Sequence, residues 1–396
     1  MALRVAYISH YPELYGANRS MLDLVLELRD RGEVEPFVLM PRAGPLQDVL
    51  AAERIPSAVI PTAPWMTERY YGGRWYHRLL QHLRHEAAAR KRAKVTADAM
   101  PVMAAQLRSW GAQLIHANSA AVPGLVDLRR RTGLPLVWHI REMPERHYRV
   151  HLDAGARGYG RALRAADRLV AISKAVVDDI RRYTGDTANV ALIHDGVLRL
   201  AQYDALARPA ELRLGERGPF TFVLMGLIHP SKGQVEAVEA LALLRDRGLQ
   251  VRLVIAGSGR DKPLRERIAA LKLEDRVELT GYVNDPFPLF KAADANLVCS
   301  RYEAFGRVTV EAMACGLPVI GHASGGTAEL VRDGLTGLLY TNGAAELAER
   351  MARLVSEPGL ADRLGRAGAA DARDRFTIER DSAQVLKVYR AVLAGR

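Results

Sequence analysis

Short hydrophobic runs alternate with longer segments of mixed hydrophobic and polar residues through most of the chain. In the first half, residues 5–8 and 36–40 are short apolar runs, whereas 20–29 and 45–52 have the spacing of helices that bury one face. This alternation predicts strands joined by helices in right-handed crossovers, and therefore a parallel sheet. Further strands are predicted at 113–116, 136–139, 168–172 and 190–193.

The second half repeats the pattern after a segment that interrupts it. Residues 199–218 contain Pro209 and Gly215 and lack sustained apolar periodicity, which predicts a connection between domains. Beyond it, strands are predicted at 220–225, 251–256, 277–280, 295–299 and 318–320. The chain is therefore predicted to be an α/β protein with two Rossmann-like, doubly wound parallel-sheet domains, at 1–198 and 199–376.

Length and composition agree with two domains and exclude several classes of protein. A chain of 396 residues exceeds the ~100 to 200 residues of an ordinary single domain. No stretch reaches the ~18 apolar residues that would span a bilayer, and the first residues lack the apolar region of a signal peptide, so we expect a cytoplasmic protein. Cys299 and Cys315 lack the spacing and the neighbouring histidines of a metal or redox site.

The net charge of +11 arises mainly before residue 199. Residues 65–94 hold eight basic, two acidic and five aromatic residues. Cations beside interfacial aromatics are typical of a surface that rests on anionic lipid headgroups, with a solvated, flexible acceptor loop as the alternative. An anionic membrane surface, at the inner face of the cell membrane, is therefore a hypothesis for this stretch. Nucleic acid is not expected as a partner, because it leaves the glutamates described next without a role.

A glycine turn between two glutamates follows the predicted strand 295–299. Gly306 allows close approach of a ligand, and the amides of Arg307 and Val308 lie in the predicted first turn of the next helix, where orphan donors and the helix dipole favour a phosphate. Glu303 in the loop and Glu311 in the helix can accept paired hydrogen bonds from the vicinal hydroxyls of a sugar and a ribose. The alternative is that Glu303 caps the helix and Glu311 is solvated.

Three other loops follow strands of the second half. Lys232 lies beside a predicted helix start and is a candidate for contact with a diphosphate, with an ordinary surface lysine as the alternative. Gly257 begins a glycine turn that does not complete a dinucleotide fingerprint, because Lys262 stands at the third glycine position. Tyr282 and Val283 can offer backbone groups to a base edge, or form a plain turn.

Candidate residues also follow strands of the first half. Gly16 allows backbone contact with an anion, although such a glycine turn is more often structural. His139 ends a predicted strand, which makes it a candidate to lie in a cleft. Other polar residues near these strand ends are candidates for the acceptor side, or only turn the chain: Asn18, Arg19, His116, Asn118, Arg141 and Glu142.

These pieces, in this order, resemble the retaining glycosyltransferases of family 4, and the resemblance covers nearly the whole chain. Its most specific part is the pair of glutamates, Glu303 and Glu311, with seven residues between them, followed by the glycines of 325–337. Further similarity lies at 171–174, at 193–197 and at 376–389. The resemblance implies a GT-B architecture, with two domains facing a central cleft and a C-terminal helix at 377–396 that packs back onto the first domain.

The resemblance also implies roles for individual residues. Glu303 matches a residue near the transferred sugar, Glu311 one near the donor ribose, and His139 an active-site histidine that positions the sugar; Lys232 joins Glu303 and His139 as catalytic. The implied donor site consists of Gly16, Gly226, Lys232, Gly257, Tyr282, Val283, Glu303, Ala304, Phe305, Gly306, Arg307, Val308 and Glu311.

The implied reaction is transfer of a hexose or N-acetylhexosamine from a UDP- or GDP-sugar to a hydroxyl acceptor, such as a glycan or a lipid-linked molecule. Retention of anomeric configuration is expected, without a metal or cofactor, and no oligomeric state is predicted. Two residues depart from the family pattern: Leu227 replaces an arginine that assists Lys232, and Asp195 replaces an asparagine. A GT-B nucleotide-sugar epimerase and a non-catalytic sugar-nucleotide-binding relative are the alternatives.

Overall fold

The computed structural model describes residues 2–68, 75–146, 150–206 and 218–395. The chain divides into two compact units, the first formed by Met1–Gly196 with Ile378–Arg396 and the second by Val197–Thr377. The predicted boundaries, after 198 and after 376, lie within two residues of these divisions. Each predicted strand is present, with ends within two residues of the expected positions.

The first unit is built on a seven-stranded parallel sheet. The described strands of this unit, including two outside the sheet, are β1 (Leu3–Ile8), β2 (Val34–Met40), β3 (Ser57–Val59), β4 (Met66–Glu68), β5 (Leu114–Ala117), β6 (Leu136–Ile140), β7 (Val150–Leu152), β8 (Arg168–Ala171) and β9 (Val190–Leu192). The sheet order is β3-β2-β1-β5-β6-β8-β9, and β4 pairs with β7 in a separate antiparallel ribbon. The central strands are buried along their length, as expected when helices cover both faces of a parallel sheet.

Helices follow these strands in the order that the hydrophobic pattern predicts. They are α1 (Gly16–Asp30), α2 (Pro45–Ala52), α3 (Trp75–Ser109), α4 (Leu125–Thr132), α5 (Gly155–Arg164) and α6 (Lys174–Thr184). The helix expected at 20–29 begins four residues earlier, at Gly16. Part of the basic stretch 65–94 forms the start of α3 rather than a loop, and its residues 69–74 lie outside the described residues.

The second unit has six parallel strands in the order 3-2-1-4-5-6 of a doubly wound fold. The strands are β10 (Phe220–Met225), β11 (Val251–Ala256), β12 (Val277–Gly281), β13 (Ala295–Val298), β14 (Val319–His322) and β15 (Gly337–Tyr340). The helices are α7 (Leu200–Leu206), α8 (Gln234–Asp246), α9 (Lys262–Ala270), α10 (Phe287–Ala292), α11 (Arg307–Ala314), α12 (Thr327–Leu330), α13 (Gly343–Ser356) and α14 (Leu360–Arg375).

The last helix, α15 (Ile378–Ala394), completes the first unit. It packs against α1 and contributes Val385, Leu386 and Tyr389 to the same hydrophobic core as β1 and β2. This is the return of the C-terminal helix that the family resemblance implies. Among the described residues, no helix combines the length and the hydrophobicity needed to cross a bilayer.

Five elements escaped the hydrophobic pattern. Four of them are strands: β3, β4 and β7 have three residues each, and β15 has four. Helix α7 lies inside the segment 199–218 that was predicted to be only a connection, and residues 207–217 of that segment lie outside the described residues.

Candidate functional site

Two loops of the second unit lie against each other where its strand order reverses. Strands β10 and β13 are neighbours in the sheet, and ligands of open parallel sheets bind beyond the carboxyl ends of strands at such a switch point. The amide of Arg301, after β13, donates a hydrogen bond to the carbonyl oxygen of Ser231, after β10, at 3.3 Å. A Cβ added to Gly233 would lie 2.6 Å from the Cβ of Cys299, so only glycine fits between the loops.

Lys232 and Glu303, which the sequence places in separate loops, form an ion pair. Lys232 Nζ lies 2.8 Å from Glu303 Oε2, and each side chain is 16% exposed. Reduced contact with water strengthens the attraction, because solvent and salt screen the two charges less. The switch point of the sheet therefore holds a cation and a hydrogen-bond acceptor side by side.

The loop after β14 fixes the backbone of Glu303. Its carbonyl oxygen accepts a hydrogen bond from the amide of Gly326 at 2.6 Å, and a Cβ on Gly325 would approach that oxygen to 2.3 Å. Tyr302 adopts a left-handed backbone with φ +59°, and its amide donates to Ser324 Oγ at 3.0 Å. A left-handed conformation is costly for a residue with a Cβ, so these neighbours must hold it in place. Tyr302 and Ser324 were not predicted as site residues; two adjacent glycines after a strand were the available signal.

Helix α11 begins directly after Gly306, as predicted. Gly306 has φ +102°, and a Cβ there would lie 3.1 Å from Thr309 Oγ1 and 3.3 Å from Glu303 Cγ. The amides of Arg307 and Val308 belong to the first helical turn, where the helix dipole attracts an anion. This turn therefore has the chemistry of a phosphate-binding site.

The next residues of the motif are more buried than expected. Glu311 is only 8% exposed, which contradicts the alternative of a solvated helix residue. Arg307 Nε lies 3.8 Å from Glu311 Oε1, and Arg307 Nη2 donates to the carbonyl oxygen of Val197 at 3.3 Å, so its guanidinium already has partners within the unit. The side chains of Ala304 and Phe305 are buried, so these two residues can offer a ligand only their backbones.

In the loops after β10, β11 and β12, some glycines are required for close packing and other residues are exposed to solvent. A Cβ on Gly257 would lie 1.9 Å from the carbonyl oxygen of Gly226, so close packing of two loops is what requires Gly257. Gly226 has φ +144°, and none of the described atoms lies within 4 Å of where its Cβ would be, which leaves room for a ligand. Leu227 is 53% and Tyr282 63% exposed, and Val283 is partly exposed.

In the first unit, Gly16 is an exposed residue of the first turn of α1. Asn18 and Arg19, close after Gly16, bind backbone carbonyl oxygens of the loop between β1 and α1. Asn18 is fully buried, and its Nδ2 donates to two carbonyl oxygens of that loop at 2.8 Å each. Arg19 Nε donates to a third carbonyl oxygen at 3.0 Å. Asn18 is therefore a structural residue and not part of an open acceptor surface, contrary to the prediction.

His139 is fully buried, which corrects the expectation that it lies in a cleft. Arg141 Nη2 lies 3.3 Å from His139 Nδ1; because a guanidinium only donates, Nδ1 accepts and the neutral ring carries its proton on Nε2. Arg141 also donates to Asn118 Oδ1 at 2.7 Å and binds Asp195. Burial, and then the charge of Arg141, lower the pKa of His139 well below its usual value of 6.5.

His116 and Glu142 have protein partners as well. His116 Nδ1 lies 2.6 Å from the hydroxyl of Tyr389 on α15, and burial lowers the pKa of His116 well below 6.5. Glu142 Oε2 accepts a hydrogen bond from the amide of Ala120 at 3.0 Å, and burial raises the pKa of Glu142. Of the predicted acceptor-side residues at the ends of β5 and β6, His116, Asn118 and Arg141 thus belong to a buried polar cluster instead of an open surface, whereas Glu142 is partly exposed.

A group with metal-ligand chemistry lies elsewhere in the first unit, and the sequence did not reveal it. In the described part of the chain, His85, His151 and Asp153 hold ligand atoms within 4.8 Å of one another. Asp153, however, accepts two hydrogen bonds from Arg92, at 2.8 Å each. A cation would have to displace a guanidinium that already neutralises the carboxylate, so the donor set does not favour a metal.

Comparison with known proteins decides the family. Residues 213–371 match the glycosyl transferases group 1, and residues 15–197 match Glycosyltransferase Family 4. The chain is 32% identical over 337 residues to the D-inositol 3-phosphate glycosyltransferase of Salinispora arenicola, covering 73% of this chain and 74% of that protein. The chain belongs to the family 4 glycosyltransferases. This confirms the enzyme class that the motifs predicted.

Other relatives of this glycosyltransferase agree with the assignment. It is 32% identical over 197 residues to the alpha-D-kanosaminyltransferase of Streptomyces kanamyceticus, covering 48% of this chain and 50% of that one. The crystal structure of Anabaena Alr3699/HepE in complex with UDP superposes with a TM-score of 0.79 and 23% identity, covering 98% of this chain and 100% of that one. Sucrose-phosphate synthase from Thermosynechococcus elongatus gives a TM-score of 0.75 at 22% identity, with both chains fully covered. These structures share the GT-B fold predicted for this chain.

Proposed function

We propose that this glycosyltransferase moves a hexose or an N-acetylhexosamine from a nucleotide-diphosphate sugar to a hydroxyl acceptor. The observation that carries the proposal is the ion pair of Lys232 and Glu303 beyond β10 and β13, beside the first turn of α11. A nucleotide sugar has an anionic diphosphate next to a ring of hydroxyl groups. The site has a cation and helix amides next to a carboxylate, so donor and site are complementary in charge and in hydrogen bonding.

Lys232 and the amides of Arg307 and Val308 stabilise the leaving nucleoside diphosphate. When the bond between the anomeric carbon and the diphosphate breaks, negative charge grows on the phosphate oxygens. Donors that already point at this charge stabilise the transition state more than the bound substrate, and therefore accelerate the reaction. Because these groups come from the chain itself, the proposed reaction needs no metal. Retention of anomeric configuration is carried over from the family resemblance.

The two glutamates bind hydroxyl groups of the donor. Glu303 accepts hydrogen bonds from the transferred sugar, and Glu311, which is buried one helical turn after Arg307, accepts them from the ribose. Tyr282 and Val283 border the base. His139 is assigned no contact with the sugar, because its imidazole is buried and its Nδ1 faces Arg141.

The relatives support the choice of donor and acceptor classes. Anabaena HepE was crystallised with UDP and with UDP-glucose, which supports a uridine nucleotide over the alternative GDP. The names of the Salinispora and Streptomyces relatives, an inositol phosphate glycosyltransferase and a kanosaminyltransferase, support a hydroxyl of a cyclic polyol or sugar as the acceptor. A glycan or lipid-linked acceptor is the second acceptor class to test.

The donor is tested first, by thermal unfolding with UDP-, GDP-, ADP- and dTDP-sugars, because a ligand that binds only the folded state raises its melting temperature. Products are then measured by mass spectrometry with inositol 3-phosphate, oligosaccharide and lipid-linked acceptors, with and without EDTA. Lys232→Ala should lower kcat/KM by about 100-fold or more. Lys262→Ala, whose side chain is 87% exposed on α9, is the matched control and should leave kcat/KM unchanged.

The outcomes separate the alternatives. A glycosylated acceptor with loss of activity in Lys232→Ala supports the proposal. An altered sugar nucleotide formed without any acceptor would identify an epimerase. Donor binding with full activity retained in Glu303→Gln would remove Glu303 from the reaction, and inactivation by EDTA would contradict the metal-independent mechanism.

We also propose that the exposed face of α3 contacts an anionic membrane surface. Arg84, Lys91, Val95 and Val102 are exposed and recur at spacings of seven and four residues, so they share one face of the helix. Cations with apolar side chains on one helix face suit lipid headgroups. Co-sedimentation with liposomes that contain phosphatidylglycerol should be salt-sensitive and should weaken in Arg84→Ala/Lys91→Ala. No salt-sensitive binding, or equal binding by the double variant, would refute this contact.

A further inference from the structure

The ion pair of Lys232 and Glu303 joins two groups that the donor must separate. In the proposed function, Lys232 binds the diphosphate and Glu303 binds hydroxyl groups of the sugar. In the free protein these side chains bind each other, with Lys232 Nζ 2.8 Å from Glu303 Oε2 and each side chain 16% exposed. Any phosphate that binds Lys232 therefore competes with Glu303 for the same positive charge.

We propose that this ion pair makes the site select an intact nucleotide sugar over the nucleoside diphosphate alone. The proposal rests on the proposed function. A nucleotide sugar binds Lys232 through its diphosphate and donates hydrogen bonds from its sugar hydroxyls to Glu303, so both side chains keep a partner. A nucleoside diphosphate also binds Lys232, but it has no sugar hydroxyls that could donate hydrogen bonds to Glu303. The carboxylate then faces an anionic ligand without its cationic partner, which weakens the binding of that ligand.

The backbone that carries Glu303 is held in place next to Lys232. Its carbonyl oxygen is held by the amide of Gly326 at 2.6 Å, and the preceding residue, Tyr302, is fixed in a left-handed conformation by Ser324 Oγ. On its other side, Glu303 Cγ lies 3.3 Å from where a Cβ of Gly306 would be. The fixed backbone therefore keeps the Glu303 side chain beside Lys232 and the turn that precedes α11.

The same fixed backbone places Glu303 next to the proposed phosphate position. Gly306 leads directly into the first turn of α11, whose amides are the other donors to the diphosphate. A diphosphate at this turn therefore lies beside the Glu303 carboxylate, and like charges close together repel each other. Once the sugar has left, the product loses the hydroxyl donors, the ion pair forms again and the nucleoside diphosphate is released.

The test compares the affinities of UDP and UDP-glucose by titration calorimetry at one fixed salt concentration. Wild-type protein should bind UDP-glucose more tightly than UDP. Glu303→Gln removes the charge and keeps the size of the side chain, so UDP should bind about tenfold more tightly, which corresponds to ~1.4 kcal/mol, while UDP-glucose binding does not improve. Glu303→Ala is the second variant, and thermal unfolding without ligand shows whether each variant is folded. Glu266→Gln, an exposed change on α9, is the matched control and should alter neither affinity.

A double-mutant cycle separates the ion pair from simple repulsion. In a Lys232→Met background the pair no longer exists, so Glu303→Gln should tighten UDP binding clearly less than in the wild-type background. Equal tightening in both backgrounds, or unchanged UDP affinity in a folded Glu303→Gln or Glu303→Ala, would overturn the inference and leave the proposed function intact. If the wild-type protein binds neither UDP nor UDP-glucose, the titrations are repeated with GDP and GDP-mannose. Absence of binding by all four ligands would show that the proposed donor site itself is wrong.

Discussion

Replacing Asp195 by asparagine should destabilise the first unit more at pH 5.5 than at pH 8.5. Asp195 binds Arg141 and accepts a hydrogen bond from Ser20 Oγ at 3.0 Å. The side chains of Asp195 and Arg141 are only 5% and 2% exposed. Removing one partner of a buried ion pair costs about 3 to 5 kcal/mol, because the other charge stays buried without compensation. Since asparagine keeps a hydrogen-bonding oxygen, we expect a loss of about 3 kcal/mol at pH 5.5.

The pH dependence comes from Asp381 at the start of α15. Burial, and then the charges of Asp195 and Asp23, raise the pKa of Asp381 from 3.8 to about 7, against the opposing effect of Arg141. The folded state therefore holds a proton that the unfolded state has released, and wild-type stability falls as the pH rises from about 4 to about 7. Between pH 5.5 and pH 7 this loss amounts to ~1.5 pKa units, or about 2 kcal/mol.

In Asp195→Asn, Asp381 no longer faces the charge of residue 195 and becomes a counter-charge for Arg141. Its pKa falls below the wild-type value, although burial still raises it, so the variant loses less stability than the wild type between the two pH values. The wild type does lose about 2 kcal/mol over that range. The difference in free energy of unfolding between wild type and variant should therefore shrink from about 3 kcal/mol at pH 5.5 by up to about 2 kcal/mol at pH 8.5.

The four tryptophans make this measurement specific, because all of them lie in the first unit. Their fluorescence in urea titrations reports the unfolding of that unit, and the titrations give its free energy of unfolding at each pH. Asp178→Asn, whose side chain is 61% exposed and pairs with Arg181, is the control and should change stability by less than about 0.5 kcal/mol. An equal loss for Asp195→Asn at both pH values would refute the coupling between Asp195 and Asp381.

Three further substitutions test other parts of the molecule. Gly257→Ala should lower the melting temperature and raise the KM for the donor, because its Cβ would lie 1.9 Å from the carbonyl oxygen of Gly226. An unchanged melting temperature and KM would show that the loop can move to accommodate the Cβ without loss of stability or donor binding. Tyr389→Phe should lower the free energy of unfolding by about 1 to 3 kcal/mol in urea titrations, because His116 Nδ1 loses a buried partner at 2.6 Å. Leu227→Arg adds a cation on an exposed side chain in the loop after β10 and should tighten UDP binding about fivefold by calorimetry; weaker binding would show that position 227 does not face the diphosphate.

The sequence predicts the central strands of both sheets well because these strands are mostly buried and rich in apolar residues. A predominantly apolar run such as 220–225 or 251–256 is followed by a loop and a helix, and that pattern depends only on local residues. The same local reasoning places Gly306 before α11 and Lys232 before α8. The pairing of Lys232 with Glu303 could not be predicted from local pattern, because it depends on β10 and β13 being neighbours in the sheet.

The polar residues of the first unit show where local reasoning fails. His139 and His116 follow or end strands, and that position alone favours a ligand site. Whether such a side chain reaches solvent depends on distant partners, here Arg141 and, on α15, Tyr389. A residue more than 200 positions away thus converts a candidate acceptor residue into part of a buried network.

The return of α15 to the first unit has a consequence for how the protein is made. The ribosome synthesises the segment from β1 to β9 first and then Val197–Thr377. The residues that fill the remaining part of the hydrophobic core of the first unit are synthesised last. Until Tyr389 arrives, His116 lacks its hydroxyl partner and α1 lacks the helix that covers it. The first half of the polypeptide must therefore wait, incompletely packed, while the second half is synthesised and can already fold, so the nascent chain completes its units in the reverse of their order of synthesis.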